Sequence, residues 1–97
     1  MNWMTLAIHY PKPENRQDIL DAMKKINEVT YDIPGLVIDG AWLDEKGDRI
    51  IAMALWDSKE AADVGWEKVK PIVINSPLSL WERQPRDLSM FGIPRVV

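Results

Sequence analysis

Apolar residues recur with two different periods along this chain, and the switches between them mark out six elements. Residues 2–10, NWMTLAIHY, alternate as a strand does: Met4, Leu6, Ile8 and Tyr10 share one face, and Trp3, Thr5, Ala7 and His9 share the other. Pro11 and Pro13 end the strand, and Pro13 suits the first turn of a helix. From Glu14 to about Thr30 the period lengthens. Ile19, Met23, Ile26 and Thr30 recur at helical spacing with Ala22 and Val29 beside them, while Asp18, Asp21, Lys24, Lys25 and Glu28 lie mostly off the stripe. Asp21 and Lys25 form a favourable i, i+4 pair.

Pro34 and Gly35 break the helix, and Leu36–Leu43 (LVIDGAWL) predicts a second strand. The polar segment 44–49, DEKGDR, contains Gly47 and suits a hairpin into a third strand, Ile50–Trp56. Asp57 followed by Glu60 resembles a capping box, with Ser58 as the alternative cap. Ala62, Trp66, Val69 and Val73 form the stripe of a second helix. Gly65 lies inside it, to allow a close backbone approach or to leave room beside Trp66. Pro71 kinks or ends that helix. After the Asn75-Ser76-Pro77 loop a last strand falls within 83–92, best placed on RDLSMFG, residues 86–92.

Strand, helix, strand, strand, helix, strand is an α+β pattern, the ferredoxin-like βαββαβ arrangement. Right-handed crossovers put both helices on one face of a four-stranded antiparallel sheet. The third strand, IIAMALW, has no polar side chain on either face. Antiparallel sheets with one wet face usually alternate apolar with polar residues. A bare face of this kind predicts an interaction surface, most economically a homodimer through the sheet face.

With 97 residues, the chain is expected to be a single domain, 1–97, with one core. A net charge of −3 without a basic run argues against nucleic acid as a partner. No cysteine is present, which excludes disulfides and thiolate metal sites and fits a reducing cytoplasm. The apolar N-terminal run lacks a basic flank and a cleavage signal, and no segment approaches a membrane span, so no membrane partner is expected. One histidine and scattered carboxylates offer no metal-ligand cluster. There is no phosphate-binding glycine loop and no nucleophile elbow.

Three stretches give the chain a family likeness. PGLV at Pro34–Val37 opens the second strand, ALWDSKEAA at Ala54–Ala62 carries a strand ending in Trp into the second helix, and Trp66 lies mid-helix. In these the chain resembles the antibiotic biosynthesis monooxygenase-like superfamily of dimeric α+β barrels, over residues 3 to about 75. The resemblance implies a ligand pocket between sheet and helices. It implies either oxidation of aromatic intermediates without a cofactor, or haem degradation, or a small dimer of other role. The haem-degrading branch uses a histidine late in the second helix; here that region reads KVKPIVIN, so no haem and no other cofactor is expected. The cofactor-free branch uses Trp, Asn and Tyr; Trp66 matches, while Asn75 and Tyr10 or Tyr31 are available at other spacings.

His9 and Trp66 are therefore the candidate catalytic residues, with Tyr10, Trp56 and Asn75 as candidate pocket lining. Each has a plainer reading. His9, the one side chain with an ordinary pKa near neutrality, is a general base or a strand histidine at the dimer seam. Trp66 is pocket wall or core. Trp56 closes a strand, and Trp3, Trp42 and Trp81 suit packing or dimer contact. Tyr10 and Tyr31 suit anchors at strand and helix ends. Asp39 reads as a solvent-exposed edge residue, with Gly40 marking a bulge. Two functions follow: a cofactor-independent monooxygenase acting on a small aromatic or hydrophobic substrate, or a non-catalytic homodimer that binds a small hydrophobic ligand or serves a structural role.

Overall fold

The computed structural model describes residues 2–88 and 92–97. Its elements are β1 (Trp3–His9), α1 (Arg16–Thr30, preceded by a 3-10 turn at Pro13–Asn15), β2 (Leu36–Leu43), β3 (Ile50–Trp56), α2 (Lys59–Asn75), α3 (Leu78–Trp81) and β4 (Ile93–Pro94). The sheet order is β2-β3-β1-β4, every neighbour antiparallel. This is the α+β, ferredoxin-like order, and α1 and α2 pack on each other and on the sheet.

Local chemistry accounts for most boundaries. Gly35 takes φ 94°, and a Cβ there would lie 2.6 Å from Ala61 Cβ and from Asp57 Oδ1. Only glycine lets the start of β2 run so close to the start of α2, where Asp57 N donates to Gly35 O at 2.8 Å. Ser58, not Asp57, caps α2: its Oγ accepts from Ala61 N at 3.1 Å. Pro71 does not end α2, which continues to Asn75. The carbonyl that loses its donor belongs to Glu67, and both residues are exposed, so water can satisfy it. At the far end Ser76 Oγ donates back to Ile72 O at 2.7 Å.

The bulge in β2 lies between Leu36 and Ile38, so Gly40 does not mark it. The fourth strand also differs from expectation. Ile93–Pro94 pairs with Met4 and Trp3, and upstream there are isolated bridges, Asp87 to Ile8 and Glu82 to Pro11. Of the expected strand 86–92, residues 89–91 lie outside the described residues. Between α2 and that strand the chain forms α3, which places Leu78 in the core.

Register fixes what each face of the sheet carries. Trp3, Thr5, Ala7 and His9 stand opposite Trp56, Ala54, Ala52 and Ile50. This row lies beneath the helices, where Ile50, Ala54 and Trp56 are buried. Met4, Leu6 and Ile8 stand opposite Leu55, Met53 and Ile51 on the other face, continued by Ile38 and Trp42 of β2. Nothing among the described residues covers this second face; Ile38 and Trp42 are 45% and 46% exposed. Two buried clusters form the core: Ile19, Ala22, Met23, Ile50 and Leu78 at one end, and Ile33, Ala54, Trp56 and Ala62 at the other.

Candidate functional site

Between the two clusters the helices do not close on the sheet. The floor there is made of short side chains, Thr5, Ala7, Ala52 and Ala54. Met23, Ile26 and Thr30 line the gap from α1, and Trp66, Val69 and Val73 from α2. The result is a partly open cavity of about 430 Å³. Small-ligand sites commonly have this size and this apolar lining with a few polar groups.

One of those polar groups is His9, at the end of β1 and 4% exposed. Its Nδ1 lies 2.8 Å from Glu82 Oε1, and Glu82 is itself 6% exposed. An ionised carboxylate only accepts, so the bond assigns the proton to Nδ1 and leaves the lone pair on Nε2. Nε2 has no partner among the described residues, and His9 is on the cavity wall. Burial lowers the His9 pKa below its ordinary 6.5; Glu82 opposes that shift and the positive charge of Arg86 adds to it. The imidazole is thus neutral at pH 7.

Glu82 reaches His9 because the segment after α3 is laced along the end of β1. Lys12 N donates to Trp81 O at 2.8 Å and Arg83 N to Tyr10 O at 2.9 Å. The Arg83 guanidinium lies over the Tyr10 ring and donates to Pro11 O and Asp48 O. Arg86, half-buried, lines the cavity further along the same segment.

A second polar corner lies across the cavity. Asp39 faces the helices opposite Ala54, half-buried, and accepts from Thr30 Oγ1 of α1. It stands on an edge strand, as its sequence context suggests, but is not exposed. Thr30 Oγ1 also lies 2.9 Å from Ile26 O, so its hydroxyl is held in the last turn of α1.

His9 and Trp66 line the same cavity, Trp66 at 37% exposure on its rim. Trp56 lines it too, 3% exposed, and its Nε1 has no partner among the described residues. Gly65 makes room for Trp56, not Trp66: a Cβ there would lie 2.2 Å from Trp56 Cη2. Tyr10 and Asn75 are not on the wall. Strand alternation turns Tyr10 away from His9, under Arg83, and Asn75 is the exposed last residue of α2. Among the described residues no three His, Asp or Glu side chains cluster for a metal, and no helix is long and apolar enough to cross a membrane. Glu82, Arg86 and Asp39 were not anticipated as site residues. No spacing signal links Glu82 to His9 across 73 positions.

The same architecture recurs in solved structures. A structure described as an antibiotic biosynthesis monooxygenase superposes with a TM-score of 0.76 at 19% identity, covering 100% of both chains. The fold is that of the antibiotic biosynthesis monooxygenase-like proteins. A conserved protein from Methanosarcina mazei is similar at TM-score 0.78 and 18% identity, over 90% of this chain and 87% of that one. Rv0793 from Mycobacterium tuberculosis follows at 0.76 and 15%, over 90% and 89%. No protein-family model and no curated protein matches the sequence. At these identities the likeness establishes the fold and leaves the chemistry to the site.

Proposed function

We propose that the protein is a cofactor-independent oxygenase acting on a small aromatic or hydrophobic substrate held in the cavity beside Trp66. One observation carries this reading: His9, anchored through Nδ1 by Glu82, lines an apolar cavity and its Nε2 has no partner among the described residues. A base of this kind works best with a pKa near the working pH. His9 Nε2 takes a proton from an acidic C–H or O–H of the substrate. The anion passes one electron to dioxygen; radical and superoxide then combine at carbon, and the peroxide regains the proton. Loss of water leaves a carbonyl. The carbon gives up two hydrogens and keeps one oxygen atom, and the second oxygen leaves as water. Trp66 orients the substrate ring at the rim.

Dioxygen uptake by purified protein with an anthrone tests this. Uptake is expected to match ketone formation one to one, and to fall by roughly 10²-fold or more in His9→Ala and clearly in Trp66→Phe. Unchanged rates in both variants would remove the assignment. A second reading, ligand binding without turnover, is favoured by Tyr10 and Asn75 lying off the wall. Binding without any oxygen uptake would decide for it.

We further infer a homodimer in which the uncovered sheet faces of two chains pack together. The support is a continuous apolar face running from Ile38 and Trp42 through Met53 to Leu6. Sedimentation at micromolar concentration checks it; a species near 11.2 kDa would count against it.

A further inference from the structure

The cavity is polar at two places only loosely related in sequence, and the two differ in character. At the end of β1 stand His9 and Arg86. Arg86 follows the turn of chain whose next residue, Asp87, pairs through both backbone hydrogen bonds with Ile8. Among the described residues no carboxylate lies within ion-pair distance of Arg86. At the other place stands Asp39. Thr30 occupies its Oδ2, while Oδ1 has no partner among the described residues.

Register measures how far apart these places are. His9 stands opposite Ile50 and Asp39 opposite Ala54, four residues further along β3. Four residues span about 13 Å, and β1 and β2 flank β3 at about 5 Å on either side, so the two backbones are roughly 16 Å apart. Side chains stand nearly perpendicular to a sheet, so both face into the same gap from opposite corners. Ala7, Ala52 and Ala54 make up the floor between them.

We propose that this cavity takes an elongated ligand with unlike ends: an acidic group at Arg86 and His9, an apolar body over the alanine floor, and a hydrogen-bond donor, hydroxyl or amine, at Asp39. One ring does not bridge such corners; two or three fused rings do. The carboxylate of Asp39 repels an acidic end and Arg86 attracts it, so the ligand enters in one direction. That direction brings the acidic end to His9 Nε2, where a proton can leave. The inference rests on the cavity being a ligand site, as in the reading above, but not on oxygen chemistry.

Calorimetric titration of the wild-type protein with 6-hydroxy-2-naphthoate, 6-methoxy-2-naphthoate and 2-naphthoate tests it without turnover. The hydroxy acid is expected to bind roughly tenfold more tightly than the methoxy acid, since a carboxylate accepts strongly from a hydroxyl and not at all from an ether. Asp39→Leu is expected to erase that ratio. Asp39→Asn, the same shape without the charge, is expected to shrink it, and serves if the leucine variant does not fold. Arg86→Gln is expected to weaken all three acids while the ratio persists. Equal affinity for the hydroxy and methoxy acids in the wild type, or an undiminished ratio at Asp39→Asn, would overturn the proposal. Failure of all three acids to bind at millimolar concentration would overturn it together with the ligand-site reading. A clear ratio alongside no oxygen uptake from an anthrone would uphold the two-ended ligand and sink only the oxygenase.

Discussion

The two faces of this one sheet are furnished in the reverse of the usual order. In a two-layer α+β fold the large apolar side chains are expected beneath the helices. Here the covered face has Thr5, Ala7, Ala52 and Ala54 at its centre, and bulk only at its ends, with Ile50 and Trp56. The uncovered face has Met4, Leu6, Ile8, Ile51, Met53 and Leu55. Bulk is missing where helices could press on it, which leaves a cavity, and present where the described residues supply no lid. The face that looks like a core is available for another surface, and the face that is a core is hollow.

The largest effect is expected on the uncovered face. Leu6 and Met53 are paired on the two central strands. In the proposed dimer, Leu6→Lys buries an unpaired charge and is expected to cost more than about 3 kcal/mol, with a shift to monomer in sedimentation. A Leu6→Lys protein that stays as stable as wild type, at any concentration, would make this face ordinary surface.

On the covered face the ends and the centre should respond with opposite signs. At the Trp56 end packing is tight. A methyl added by Gly65→Ala gains about 1 kcal/mol of helix propensity but drives into a buried indole, where overpacking costs typically 1–3 kcal/mol. A net loss, seen as a lowered melting temperature, is expected; a raised one would mean that Trp56 has slack. At the centre, Ala52→Leu fills empty space. It is expected to leave stability unchanged or raise it by about 0.5–2 kcal/mol while abolishing naphthoate binding. Loss of stability together with unimpaired binding would place the ligand elsewhere.

How much of this was legible in the sequence follows from the range of the forces involved. Alternation and helical period are local, so β2 and β3 match their expected bounds, and α1 differs only in its first, 3-10 turn. The apolar character of both faces of IIAMALW was legible for the same reason. Which face the helices cover was not, because Trp3, Thr5, Ala7 and His9 form the poorer face of β1 by composition and yet lie beneath them. Asp39 was misread because its partner, Thr30, belongs to another element, and a polar residue in a strand reads as exposed until its acceptor role is visible. The last strand was misplaced because residues 83–88 are laced to β1 through backbone bonds and the Arg83 side chain, which leave no hydrophobic period to detect. The Glu82–His9 bond, on which the candidate chemistry turns, joins two residues 73 positions apart and is purely tertiary.

The smallest expected effect is also the one that reads the hollow face most directly. In the unfolded chain His9 titrates near its ordinary value of 6.5; folded, burial lowers it, against the pull of Glu82 and with the push of Arg86. Below 6.5 the unfolded state therefore binds more protons than the folded one, and stability falls as pH drops from 6.5 towards the folded value. Above 6.5 this contribution is constant. The urea midpoint is expected to decline as the pH drops below 6.5, and His9→Gln to flatten that part of the curve. Because the chain has one histidine, its imidazole resonances need no assignment. They should report the Nδ1-protonated tautomer at pH 8 and an apparent pKa below 6.5. Glu82→Gln removes the charge that favours the imidazolium, so it should lower that pKa further. A histidine that titrates at or above 6.5 would mean that burial does not dominate at the end of β1, and one protonated on Nε2 would mean that no base faces the cavity.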